Sequence, residues 1–92
     1  MLVMLSDRLR RAREAANVSA RELGRLAGLP SESHVGYLET APDPNPNANT
    51  LKSICRVLGI SIDYLLTGAG PEPSSRRIRA AVEAARATRE ES

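Results

Sequence analysis

Leu58-Gly59-Ile60-Ser61-Ile62-Asp63-Tyr64-Leu65-Leu66 decides how the chain folds, because it carries the stop of one helix and the start of the next. Gly59 is the residue type that closes a helix in the left-handed conformation, and Ser61 offers an oxygen to the unpaired amides of a new first turn. Upstream, Leu51, Ile54, Cys55 and Leu58 recur at helical spacing behind Asn47 or Asn49, either of which suits a cap. Downstream, Leu65 and Leu66 are expected to point inward, and Gly68 is the next stop. Two short helices meeting at a glycine are the minimal prediction.

Working back from there, Ala41 to Asn49 holds prolines at 42, 44 and 46 and asparagines at 45, 47 and 49, which predicts an exposed loop with little regular structure. Before it, Val35 and Leu38 are spaced to face a core, with Ser31 or Ser33 as the cap. Gly28 and Pro30 separate this helix from a preceding one that carries Leu23, Leu26 and Ala27. Ser19-Ala20-Arg21-Glu22 has the spacing of a capping box, Ser19 accepting from an amide and Glu22 reaching back. A first helix is expected from Ser6 to Ala16, capped by Ser6 or Asp7, presenting Leu5, Leu9, Ala12 and Ala16 and ending at Asn17. The reading is all-α: a five-helix bundle over 5–68, a Pro/Ser linker over 69–75, and a C-terminal helix over 76–91.

That last helix has a thin apolar stripe, Ile78, Ala81, Val82 and Ala85. Arg76, Arg77 and Arg79 stand at its start and Glu90 and Glu91 at its end, against the preference of the helix dipole. Two antiparallel copies would set each basic start beside an acidic end and bury both stripes, so the segment is assigned as a dimerisation element. A tail helical only in part, or an Arg cluster that adds phosphate contacts, remain the alternatives.

Composition bounds the function. There is no Trp or Phe, only Tyr37 and Tyr64 are aromatic, and the core must be aliphatic. Net charge is +2, and Lys52 is the only basic residue that is not Arg, an excess too small to establish a polyanion partner by itself. One Cys (Cys55) and one His (His34) form neither an internal disulfide nor the ligand set of a zinc site. No nucleophile and base pair or phosphate-cradling glycine loop is present, so no catalytic residue, cofactor or small-molecule substrate is expected. Met1 to Leu5 is apolar but lacks a basic leader, and a cytoplasmic protein without a membrane span is expected.

The succession Arg8-Leu9-Arg10-Arg11-Ala12-Arg13-Glu14, Val18-Ser19, Glu22-Leu23, Ala27-Gly28-Leu29, Val35, Leu38-Glu39, Thr50-Leu51, Ile54 and the 58–66 phrase resembles the phage repressor and Cro type helix-turn-helix family of XRE-like transcriptional regulators. The resemblance implies that the second helix crosses the DNA backbone while the third enters the major groove, where each base pair shows a distinct edge. Carried over by position, Glu32, Ser33, Gly36 and Tyr37 would read bases, and Arg8, Arg21, Arg25 and His34 would contact phosphates. Arg13 and Glu39 match an internal ion pair of the family; the alternative is two solvated charges.

This chain departs from the family pattern at three places. The turn from Gly28 to Val35 is one residue longer than usual, Ala20 stands where Gln commonly contacts phosphate, and Glu32 is acidic where Gln or Arg is common. Glu32 either specifies cytosine or caps the helix. The expected function is a sequence-specific, double-stranded DNA-binding regulator, a repressor acting as a homodimer. The alternative is a protein-interaction module, an antitoxin or regulatory partner, on the same fold.

Overall fold

The computed structural model describes residues 5–31, 33–41 and 46–91, the side chains of 89–91 excepted. Over these residues the chain is all-helical: α1 (Leu5–Ala15), α2 (Ala20–Leu26), α3 (His34–Thr40), α4 (Ala48–Leu58), α5 (Ile62–Thr67) and α6 (Ser75–Glu91). The readings of Glu32 and of the loop at 42–45 lie outside the described residues.

Most boundaries have a local cause. Ser19, Asn47 and Ser61 hold extended conformations before α2, α4 and α5, and their side-chain oxygens accept from the amides of Glu22, Thr50 and Tyr64. Asn47, not Asn49, is thus the cap of α4. Asn17 takes a positive φ of 55° after α1. Gly28 does the same at 71°, and both bonds of a left-handed stop form there: Gly28 N–H donates to Arg25 O at 3.1 Å and Leu29 N–H to Gly24 O at 3.0 Å. The start of the first helix differs from expectation. The start of α1 is Leu5, which places Ser6 inside the helix, and the Ser6 hydroxyl donates instead to the Leu38 carbonyl at 2.8 Å.

The core is aliphatic, with Leu9, Leu23, Val35, Leu38, Ile54, Leu58, Leu65 and Val82 fully buried. Each such side chain contributes roughly 1.5–3 kcal/mol relative to exposure. Leu66, expected inward beside Leu65, is 45% exposed. Helical neighbours in sequence point about 100° apart, so a short α5 buries one of the two leucines and shows the other. Cys55 is buried in α4, and burial pushes its thiol up to about 11, which leaves it protonated and inert at neutral pH.

The apolar stripe of α6, expected to form a dimer seam, packs on its own chain: Ile78 and Val82 are buried in the core, where α6 lies against α4, α1 and α2. Two of its charged groups reach into the bundle as well. Arg79 Nε donates to the Ala15 carbonyl at the end of α1 at 3.2 Å, and Arg86 grips Glu22 of α2 through Nη2 at 2.7 Å and Nε at 3.1 Å. Glu22 therefore does not reach back to close a capping box; its carboxylate is turned toward α6.

A pH dependence follows. The Arg86 hydrogen bonds hold the Glu22 carboxyl below its usual range, outweighing the opposing effect of burial. A lowered folded-state value gives stability that is present above the unfolded value, about pH 4.3, and is lost as pH falls through the folded one. Thermal melts of the native chain and Glu22→Gln should therefore differ at neutral pH, begin to approach each other as pH falls past about 4.3, and converge only below the lowered folded-state value. A gap that persists unchanged into acid would mean that the pair contributes nothing through charge.

Candidate functional site

The two helices that project one surface together are α2 and α3, joined through Ala27 to Ser33. Ser33 stands immediately before α3 at φ −86°, ψ −3°, a helical rather than extended conformation, and its side chain caps no amide. Its hydroxyl lies 2.9 Å from that of Ser31, which also accepts from Ser33 N–H at 3.3 Å. The His34 amide bonds the Ser31 carbonyl at 3.2 Å. Ser31 and Ser33 are thus bonded to each other just before α3, which begins at His34. Neither serine caps α3 as expected: Ser33 already holds a helical conformation with no side-chain bond to the first turn, and the Ser31 hydroxyl takes the Ser33 amide, which lies before α3.

From that start, helical spacing sorts the side chains. Val35, Leu38 and Glu39 are buried, whereas Ser33, Tyr37 and Thr40 are exposed and Gly36 is half-buried between them. Tyr37 is 58% exposed, and with Leu66 it completes the exposed large hydrophobics among the described residues. His34 is half-buried, its ring centroid 6.3 Å from that of Tyr37. Thr40 shares the outer face by its spacing from Gly36 and Tyr37, and the sequence reading passed over it although the period was visible. Its hydroxyl donates back to the Gly36 carbonyl at 2.9 Å.

Exposed cations of α2 flank this face. Arg21 lines a shallow, mostly apolar notch with Ala20, Ser33 and Gly36, and Arg25 lies one turn further on. Arg25 Nη2 is 3.7 Å from a Glu22 oxygen, a long contact with its own side chain still 65% exposed. Arg8 is placed elsewhere. It is 7% exposed, with Nε donating to the Leu65 carbonyl at 2.8 Å and Nη2 to the Leu66 carbonyl at 2.6 Å. Where a phosphate contact was expected of Arg8, the guanidinium bonds the unpaired carbonyls that end α5, a place where a cation is favoured by the helix dipole.

What holds the outer face in position lies behind it. Glu39 at the end of α3 has a side chain only 4% exposed and accepts from Arg13 twice, Nε to Oε2 at 2.7 Å and Nη2 to Oε1 at 2.9 Å. The same Arg13 donates to the Val18 carbonyl at 3.0 Å, and the Glu39 hydrogen bonds raise its affinity for the proton. Arg10, not singled out in the sequence, adds a bond to the Glu39 carbonyl at 3.2 Å and a charge contact at 3.6 Å. With Ser6 on the Leu38 carbonyl, α1 clamps the C-terminal end of α3 with several side chains of one face.

This arrangement can present a neutral helix face to a grooved partner between cations of the adjacent helix. Among the described residues no group of His, Cys, Asp or Glu clusters to hold a metal ion, and no helix is long and apolar enough to cross a membrane. Comparison with known families shows a match between residues 4–64 and the model of a helix-turn-helix domain. No curated protein and no solved structure matches the chain.

Proposed function

The chain belongs to the helix-turn-helix domain family, matched over residues 4–64, and from this we propose that it is a sequence-specific double-stranded DNA-binding transcriptional regulator, a repressor acting in the cytoplasm as a dimer. The observation that carries the reading is the outer face of α3 and its cap, exposed Ser33 and Tyr37 with half-buried Gly36, standing beside exposed Arg21 and Arg25 of α2. A helix of this kind fits the major groove, and cations on the helix before it add affinity by neutralising phosphates without reading sequence. His34, half-buried beside Tyr37, is assigned a phosphate at the edge of the groove. Dimeric action would set two copies on half-sites about one helical turn apart, and occupancy alone would block transcription.

Selection from a random duplex library, followed by titration at two salt concentrations, tests this. An enriched inverted repeat supports the dimeric regulator, and affinity should fall as salt rises because neutralised phosphates release counterions. Arg21→Ala and Arg25→Ala are each expected to weaken all sequences alike and to reduce the salt slope by about 0.9 per lost contact. Unchanged slopes would remove both residues from the interface.

A protein-interaction module, an antitoxin or a regulatory partner, is the second reading. It is favoured by the absence of Lys, Arg, Asn and Gln between Arg25 and Asn45, where a groove-reading surface commonly carries them. Failure of any duplex to enrich would put this reading first.

A further inference from the structure

We infer that this protein selects bases by the C5-methyl groups of pyrimidines rather than by hydrogen bonds to base edges, with Tyr37 and the notch at Gly36 as the receiving surface. The inference rests on the DNA reading above and specifies the chemistry of that same face.

The side chains that read base edges in bidentate fashion are Arg or Lys for guanine and Asn or Gln for adenine. None stands on α3 or anywhere from 26 to 44. Of the hydroxyls on the outer face, Thr40 and one of the Ser31–Ser33 pair donate their protons within the chain. Thr40 donates to the Gly36 carbonyl at 2.9 Å, and Ser33 and Ser31 bond each other at 2.9 Å. What the face offers instead is apolar surface. The Tyr37 ring is 58% exposed, and beside it lies the notch of Ala20, Arg21, Ser33 and Gly36. A Cβ placed on Gly36 would meet no neighbouring group within 4 Å, so the space above this residue is open.

That geometry suits a methyl group. The major-groove edge of thymine is marked by an O4 acceptor and the C5-methyl, and apolar contact with the methyl distinguishes it from the unmethylated cytosine edge. Ala20, the departure from the family at the start of α2, leaves the notch apolar where a longer polar side chain would cross it. Arg21 at the rim is placed to hold the adjoining phosphate, which sets the depth at which the base edge approaches. Tyr37 and Gly36 are neighbours in sequence, so one pyrimidine methyl over the ring and another over the notch would come from nearby base pairs of one half-site.

The experiment takes the duplex enriched by selection and replaces each thymine in turn by deoxyuridine, which deletes only the methyl. One or two positions in each half-site are expected to lose roughly 4-fold in affinity, the equivalent of about 0.8 kcal/mol for one buried carbon. Replacing the critical thymine pair by a 5-methylcytosine pair should be tolerated better than replacing it by a cytosine pair. Substituting 7-deazaadenine, which removes the acceptor that a bidentate amide would use, should change affinity by less than about 2-fold.

Protein variants read the same preference. Tyr37→Phe should keep the thymine-over-uracil ratio, Tyr37→Ala should abolish it at one position, and Gly36→Val, which fills the notch, should abolish it at the other. The ratio is internal to each folded variant, so a change of overall stability does not imitate the effect. A flat deoxyuridine scan on a tightly bound duplex, or large losses with 7-deazaadenine, would overturn the methyl inference and leave the DNA reading standing. Enrichment of no duplex at all would overturn both.

Discussion

Glu39→Ala is expected to lower the stability of the fold by about 3 kcal/mol, the loss typical of removing one partner from a buried ion pair. Glu39 is the more buried member, its side chain 4% exposed against 19% for Arg13. Its removal leaves the Arg13 guanidinium, among the described residues, with the Val18 carbonyl as its hydrogen-bond acceptor. A domain of this size is stable by about 5–14 kcal/mol in total, so the loss is a large fraction. The midpoint of thermal unfolding should fall by more than about 10 °C.

Glu39→Gln keeps shape and part of the hydrogen bonding and should sit between the two. Urea unfolding of Glu39→Ala, Arg13→Ala and the double variant isolates the coupling. A coupling under about 0.5 kcal/mol would reduce the pair to an ordinary surface contact. A functional consequence accompanies the structural one. Arg10, Arg13 and Ser6 hold the C-terminal end of α3, so loosening them lets the outer face tilt, and affinity for DNA should fall further than the lost stability alone explains.

Gly59→Ala is the second large effect. At φ 67° an L-side chain is strained by about 1–2 kcal/mol, and this is a position where the Ile60 amide also closes onto the Cys55 carbonyl at 3.1 Å. The new methyl would in addition lie 2.7 Å from Cβ of Ala81, inside the separation that carbon atoms tolerate. Ala81 sits on α6 between the buried Ile78 and Val82, so the helix cannot step aside without opening the core. Overpacking of this kind costs about 1–3 kcal/mol. Combining Gly59→Ala with Ala81→Gly should recover the packing part but not the backbone part. If the double variant is no more stable than the single one, α6 does not approach Gly59 as described.

Several arginines are engaged within their own chain. Arg8 ends α5, Arg10 ends α3 and Arg79 ends α1, each donating to terminal carbonyls of a helix other than its own. A cation at a helix C-terminus is worth about 0.3–1 kcal/mol when exposed and up to about 2 when partly buried. Arg13 and Arg86 are fixed by carboxylates. The bundle is therefore cross-braced by arginines that donate to helix ends and carboxylates of its own chain.

The sequence by itself determined the helices up to residue 68. The signals there are local: Ser19, Asn47 and Ser61 each cap an amide three residues away, and Asn17, Gly28 and Gly59 supply the positive φ that ends a helix. The period of Val35 and Leu38 likewise showed which face of α3 is buried and hence that Tyr37 points out. It did not show that α3 opens at His34, because Ser31 and Ser33 are both of the residue type that caps and neither caps α3. Only the tertiary structure decided where Arg8, Glu22 and the stripe of α6 go. Their partners lie 57 to 64 residues away along the chain or are whole helix faces, and no local spacing encodes which carbonyl, carboxylate or apolar face the folded bundle will bring beside them.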